Sequence, residues 1–114
     1  MHIDSYTFGS MTIEGVRYSE DLIVFPEYVS SGWIREEGHT LGIQDLREVI
    51  EEQPEMIVIG KGAAGCMKVP PVLVEELKAE GFEVICANTK EAIEIFNEKT
   101  IQGRKVIGAF HLTC

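Results

Sequence analysis

Met56-Ile57-Val58-Ile59 is a run of four consecutive apolar residues set between Pro54-Glu55 and Gly60. It is too short for a helix and lacks the polar alternation of a half-exposed strand. It therefore reads as a strand covered on both faces, which requires a layer above it and a layer below. The flanking sequence supplies those layers. Ile43, Leu46, Val49 and Ile50 recur at helical spacing over Ile43–Gln53, with Asp45, Arg47, Glu48, Glu51 and Glu52 on the other face, and Pro54 ends that helix. Pro70 and Pro71 suit the first turn of a second helix, where a missing N–H costs nothing; this helix turns Val74 and Leu77 inward and stops at Gly81. Phe82–Ala87 is the next strand. Asn88 or Thr89 caps a third helix that buries Ala92, Ile93 and Phe96, and Gly103 releases a final strand over Lys105–His111.

Ahead of Gly42 the pattern changes to short alternating segments. Tyr6 and Phe8 share one face of a strand, as do Met11 and Ile13, and Val16 and Tyr18 return after a tight turn at Glu14-Gly15. Leu22-Ile23-Val24-Phe25 is a third apolar run, stopped by Pro26. Tyr28 to Glu36 reads as a fourth extended segment, interrupted by Ser30-Ser31-Gly32. The whole predicts one α/β domain over residues 1–114, with a mainly parallel central sheet and an N-terminal antiparallel β addition. Periodicity leaves the direction of the last strand open.

Charge narrows the partners. The 19 acidic residues outnumber the 10 Lys and Arg, giving a net charge of −9. Such a surface repels nucleic acid and anionic membranes, so neither is an expected partner. No apolar run approaches the ~20 residues of a membrane helix, and MHIDSYTFGS carries no basic leader before an apolar core; the expected compartment is the cytoplasm. The three cysteines, Cys66, Cys86 and Cys114, form no metal-ligand spacing, so no metal and no cofactor are expected.

One segment has the pattern of a ligand loop. Gly60-Lys61-Gly62-Ala63-Ala64-Gly65 matches G-x-G-x-x-G directly after a strand, where glycines let backbone N–H groups approach an anion. With 11 glycines in 114 residues that spacing arises by chance in about one such chain in ten. A dinucleotide fingerprint is disfavoured, because Cys66 to Val69 and two prolines precede the helix and the next strand ends at Ala87-Asn88 rather than at an acid. A Walker loop is excluded by Cys66-Met67 after Gly65. The remaining readings are a small-anion site and a structural turn.

Lys61 and Lys68 flank the loop as countercharges or as ordinary surface lysines. Cys66 lies beside them ahead of a helix, features that lower a thiol pKa, although most lone cysteines are simply small apolar residues. Arg35 and His39 precede the first helix and can line a polar cleft at the carboxyl ends of the strands, or hydrogen-bond only locally. The ligand-binding candidates are thus Gly60, Lys61, Gly62, Gly65, Cys66, Arg35 and His39, and no residue is assigned as catalytic. Six of the nine aromatics fall in the first 33 residues: Tyr6, Phe8, Tyr18, Phe25, Tyr28 and Trp33. They are the candidate contacts for a protein partner, with at least two expected to be exposed on one contiguous surface. The alternative packs all six as core.

Five segments in order carry a family resemblance: Trp33-Ile34-Arg35 with Gly38-His39, Ile57-Val58-Ile59-Gly60-Lys61-Gly62, the Pro70-Pro71 helix, Asn88-Thr89 with Ala92 and Phe96-Asn97, and Gly103-Arg104-Lys105-Val106. From about Tyr6 to His111 the chain resembles the small domain of the adipogenesis-associated Mth-domain-containing protein. The same domain occurs in a mitochondrial respiratory complex I assembly factor and in many uncharacterised bacterial and archaeal proteins. The resemblance implies a three-layer α/β fold with a mixed central sheet, an added β element and a last strand antiparallel to the others. It implies no enzymatic activity; it implies assembly or regulatory roles through protein contacts. Lys61 stands where the family has a small residue, and the family pattern does not require Gly65. The expectation is a binding module for an unidentified protein partner; the alternative is a small enzyme or sensor that takes an anionic ligand at residues 60–65.

Overall fold

The computed structural model describes residues 1–114. Its centre is a five-stranded sheet made of β4 (Leu22–Val24), β5 (Val29–Ser31), β6 (Met56–Lys61), β7 (Glu83–Ala87) and β8 (Val106–His111), in the order β5-β4-β8-β6-β7. β6 pairs in parallel with both β7 and β8, while β4 runs antiparallel to β8 and to β5. A separate antiparallel sheet of β1 (Ile3–Thr7), β2 (Ser10–Ile13) and β3 (Val16–Tyr18) forms the N-terminal addition.

Strand alternation divides the core into two. Met56, Val58, Val106 and Phe110 point to the side covered by the N-terminal sheet and α3 (Thr89–Ile101), where Ile3, Met11, Ile93 and Phe96 meet them. Ile57, Ile59, Ile107 and Ala109 point to the side covered by α1 (Arg47–Glu51) and α2 (Pro71–Ala79), against Val49, Leu73 and Leu77. The apolar run of β6 is therefore buried on both faces, Met56 to Ile59 being at most 2% exposed.

Several local expectations are corrected. β8 lies parallel to β6, so the last strand is not antiparallel to the rest; α3 carries the chain from β7 back across the sheet, and such crossovers return strands in parallel. The antiparallel member is the early strand β4. Phe8 is not strand: it forms a turn with Gly9 between β1 and β2. The turn at Glu14-Gly15 is as expected, with both residues in the left-handed region (φ 47° and 83°) that suits a two-residue hairpin. Only Val29–Ser31 of the Tyr28–Glu36 segment is strand. The first helix is a 3₁₀ turn over Ile43–Leu46 leading into α1, and it ends by Glu52. In α2, Leu73 rather than Val74 is the buried partner of Leu77.

Phe110 packs edge-on against Phe96 with ring centroids 5.8 Å apart, and both are fully buried. Phe110→Ala should cost about 3–5 kcal/mol in urea unfolding, while Ile34→Ala, at a site 84% exposed, should change stability by less than about 0.5 kcal/mol.

Candidate functional site

The carboxyl ends of β6 and β8 lie side by side, with Lys61 opposite His111 in the register. β6 runs on into the glycine segment, and β8 runs on into Leu112–Cys114. These two stretches close on each other. The Ala63 N–H donates to Thr113 O (3.2 Å) and the Cys66 N–H to Cys114 O (3.0 Å). The Gly62 N–H donates to the Thr89 hydroxyl (2.9 Å), which in turn donates to His111 O (2.6 Å). Gly65 N–H returns to Gly62 O, and Met67 N–H to Lys61 O. The amides of Gly62, Ala63, Gly65, Cys66 and Met67 are thus engaged by the chain itself.

The glycines serve that close approach. A Cβ on Gly62 (φ 102°) would overlap the Thr113 carbonyl and lie 2.9 Å from the His111 ring; one on Gly60 would lie 2.7 Å from the Phe110 ring. Gly65, also at positive φ, lies against the Asn88 amide.

Beneath the loop is a buried ionic cluster. Asp21 Oδ2 accepts from Arg35 Nη2 (2.9 Å) and from His111 Nδ1 (2.7 Å), and Asp21 Oδ1 accepts from the Leu112 N–H (2.8 Å). Arg35 also donates from Nε to Gly38 O (2.7 Å), and its guanidinium lies 4.9 Å from the centre of the Trp33 ring. The side chains of Arg35 and His111 are 7% and 6% exposed. Burial alone would raise the Asp21 carboxyl; the Leu112 N–H, His111 and Arg35 outweigh it and hold Asp21 below its ordinary value. An ionised carboxylate only accepts, so Nδ1 of the His111 ring is the donor to Asp21 and Nε2 is left to find another partner. That Nε2 and Arg35 Nη1 are buried without a hydrogen-bond partner. No Ser, Thr or Cys contacts the free nitrogen, so the Asp–His pair has no nucleophile to activate. Its chemistry here is to hold Arg35 and the end of β8 in place.

The candidate residues divide between these two structures and the surface. Gly60, Gly62 and Gly65 pack against neighbouring segments. Arg35 is buried in the ionic cluster. His39 is exposed, with its ring edge-on to His111 at 6.0 Å, and its carbonyl accepts from the Lys68 N–H (2.6 Å), which ties the Arg35–His39 loop to the exit of the glycine segment. Lys61 points the other way, onto the flank of α2, and Cys66 is exposed. No three His, Cys, Asp or Glu side chains converge in a metal-holding group.

Asp21, His111 and Thr89 are site residues that sequence reasoning does not find. Asp21 and His111 are 90 residues apart, and nothing local marks either. A signal does exist for His111, a polar residue ending an otherwise apolar strand.

Among the aromatics, Phe25 is buried as core, stacked on Tyr28 at 4.5 Å, and so offers no partner contact. Tyr6 and Tyr18 are half-buried against the core, and the Tyr6 hydroxyl donates to Leu112 O (2.7 Å). Phe8 (67% exposed) and Tyr28 (50%) are open, but Phe8 adjoins Gly9, which bonds Leu112, whereas Tyr28 lies by Lys105. Those are opposite ends of β8, so the two do not form one contiguous surface. Trp33 is half-buried and donates from Nε1 to Asp45 O (3.0 Å).

Fold and site together define a small mixed α/β domain closed at its strand ends by its own backbone, with no helix long and apolar enough to cross a membrane. Residues 3–111 match the family described as "Protein of unknown function (DUF498/DUF598)", and the chain belongs to that family. The solved structures agree. A conserved hypothetical protein of Pyrococcus horikoshii, PH1505, superposes over the full length of both chains with a TM-score of 0.86 at 23% identity. The protein titled MT938 does so over 99% of this chain and 98% of its own, with a TM-score of 0.80 at 29% identity. A Bordetella pertussis protein described as a Mth938-like domain covers 97% of this chain and 85% of its own, at 22% identity and a TM-score of 0.72. The Mth-domain resemblance seen in the sequence is to this family.

Because Asp21 is held low, its ionised form favours the folded state. That contribution is complete above the ordinary carboxylate value of about 4 and is lost as pH falls through the lowered native value. Asp21→Asn should cost about 3–5 kcal/mol at pH 7 by leaving buried Arg35 without its countercharge, and should flatten the acid limb of a stability–pH profile. In a timed alkylation read by mass spectrometry, exposed Cys66 should react before Cys86, whose thiol is pushed up by burial.

Proposed function

We propose that this chain is a non-catalytic binding or assembly module of the cytoplasm that acts through protein contacts. The observation behind the reading is a cavity of about 380 Å³ at one free edge of the sheet, lined by Ile23, Ser30, Trp33, Ile34, Asp45 and Glu48 among others. β5 is paired only on its β4 side, so its outer edge is open to an added strand. Ile34 offers an exposed apolar contact there, and Trp33 forms a wall that its bond to Asp45 O holds still. Asp45 and Glu48 outnumber Arg47 in the cavity lining, so an extended partner segment that pairs an apolar residue with basic neighbours is the complement that fits. The alternative, an anion-binding enzyme or sensor at residues 60–65, needs loop amides that instead bond Thr89, Thr113, Cys114 and loop carbonyls.

Copurification from the native source, with mass spectrometry of proteins and metabolites, tests the reading. The wild-type chain should retain a protein partner. Ile34→Glu should lose it about tenfold or more with little change in melting temperature, and Phe8→Glu, at the turn between β1 and β2 and away from the cleft, should keep it. Undiminished capture by Ile34→Glu would overturn the β5 surface. Phosphate-induced NMR shifts confined to the amides of residues 61–66 would favour the loop instead.

A further inference from the structure

At the opposite edge of the sheet the fold builds a second, different recess. Along β6, Ile57 and Ile59 point to the α2 side of the sheet, and the same alternation carries Lys61 out of the core onto the flank of α2. Cys86 points to that side from β7, where its neighbour across the ladder is Ile59. On α2, Pro71, Val74 and Lys78 stand at positions i, i+3 and i+7 of one helical face, with Glu75 at i+4. The strand row and the helix row flank an open recess of about 420 Å³, lined by Lys61, Val69, Pro71, Val74, Glu75, Lys78 and Cys86.

Its composition runs against the rest of the molecule. The chain carries −9, yet this recess has two cations and one acid, and neither Lys61 nor Lys78 forms an ion pair or a side-chain hydrogen bond. Lys78 is exposed and Lys61 half-exposed at the rim, and both are near enough to act electrostatically on the half-buried Cys86 thiol. The floor and walls, Val69, Pro71, Val74 and Cys86, are apolar apart from the thiol. The size is within the ordinary range for a small-molecule site.

We infer that this recess binds a small organic monoanion, a carboxylate on a short apolar or aromatic body. Lys61 and Lys78 take the carboxylate, and Val69, Val74 and Cys86 cover the body. Glu75 leaves a net charge of about +1 at the mouth, and the apolar walls give inorganic phosphate nothing to bury, so the recess favours a carboxylate that carries an apolar body. The site uses the α2 edge of the sheet and stands apart from the β5 cleft, so either holds without the other.

A titration followed by NMR on the full chain tests it, with benzoate, its neutral isostere benzamide and inorganic phosphate as probes. Benzoate should produce saturable shifts at the amides of Lys61, Val74, Lys78 and Cys86. Benzamide and phosphate should bind at least about tenfold more weakly there. Lys61→Met with Lys78→Met should abolish the benzoate response while the remaining spectrum stays that of the wild type; Val74→Asp should weaken it with both lysines intact. No saturable shift at these residues, equal binding of benzamide, or a benzoate response that survives loss of both lysines would overturn the proposal.

Discussion

Asp21 ties together three parts of the chain that are remote in sequence. Its carboxylate holds Arg35 from the segment before α1, the His111 ring from the end of β8 and the backbone N–H of Leu112. Taking these charges out of water is costly, and the cluster is favourable because the carboxylate accepts three donors at short range. Through Arg35 the same carboxylate steadies Gly38 and underlies Trp33, which walls the β5 cleft. Through His111 and Leu112 it sets where the chain emerges beyond β8, and so where Thr113 and Cys114 meet the glycine segment. A rim that would otherwise be three loose loops is a single connected piece.

The same arrangement explains why the glycine segment looks like a phosphate loop without being organised as one. Glycines allow a backbone to come close to something; here that something is another stretch of backbone. Thr89 makes the exchange complete, since its hydroxyl accepts from Gly62 and donates to His111 in one move. The β5 cleft and the α2 recess lie away from these closed strand ends, at the two lateral edges of the sheet, one beside β5 and one beside β7. They differ in charge as well as place: acidic residues predominate at the first, and two free lysines stand at the second.

The layers are legible in the sequence because each depends on local periodicity. The Met56–Ile59 run, the spacing of Ala92, Ile93 and Phe96, and the Glu14-Gly15 turn all arise from residues within a few positions of one another. The illegible features depend on partners across the chain. Nothing near Asp21 announces that it will meet Arg35 and His111. Phe25 and Tyr28 read alike as aromatics of the N-terminal part, but one faces α1 as core and the other only stacks on it. The direction of β8 is likewise a property of the crossover through α3, invisible in the strand's own residues. Arg35 and His39 stand out for their position ahead of a helix; their side chains diverge, one into the ionic cluster and one to the surface.

The position of β8 has a consequence for how the molecule comes into being. It is the last strand along the chain, yet it lies between β4 and β6 at the middle of the sheet. Leu22 meets Phe110 across 88 steps of sequence, so β4 and β5 cannot join the rest of the sheet until the final strand arrives. Loop closure over that span must precede any reward from pairing, which slows folding relative to a fold of local contacts. During synthesis one edge of β4, otherwise paired with β5, and one edge of β6 wait unpaired until residues 106–111 have left the ribosome. The nascent chain is exposed to edge-to-edge association throughout that wait, and closure of the sheet is a single late event.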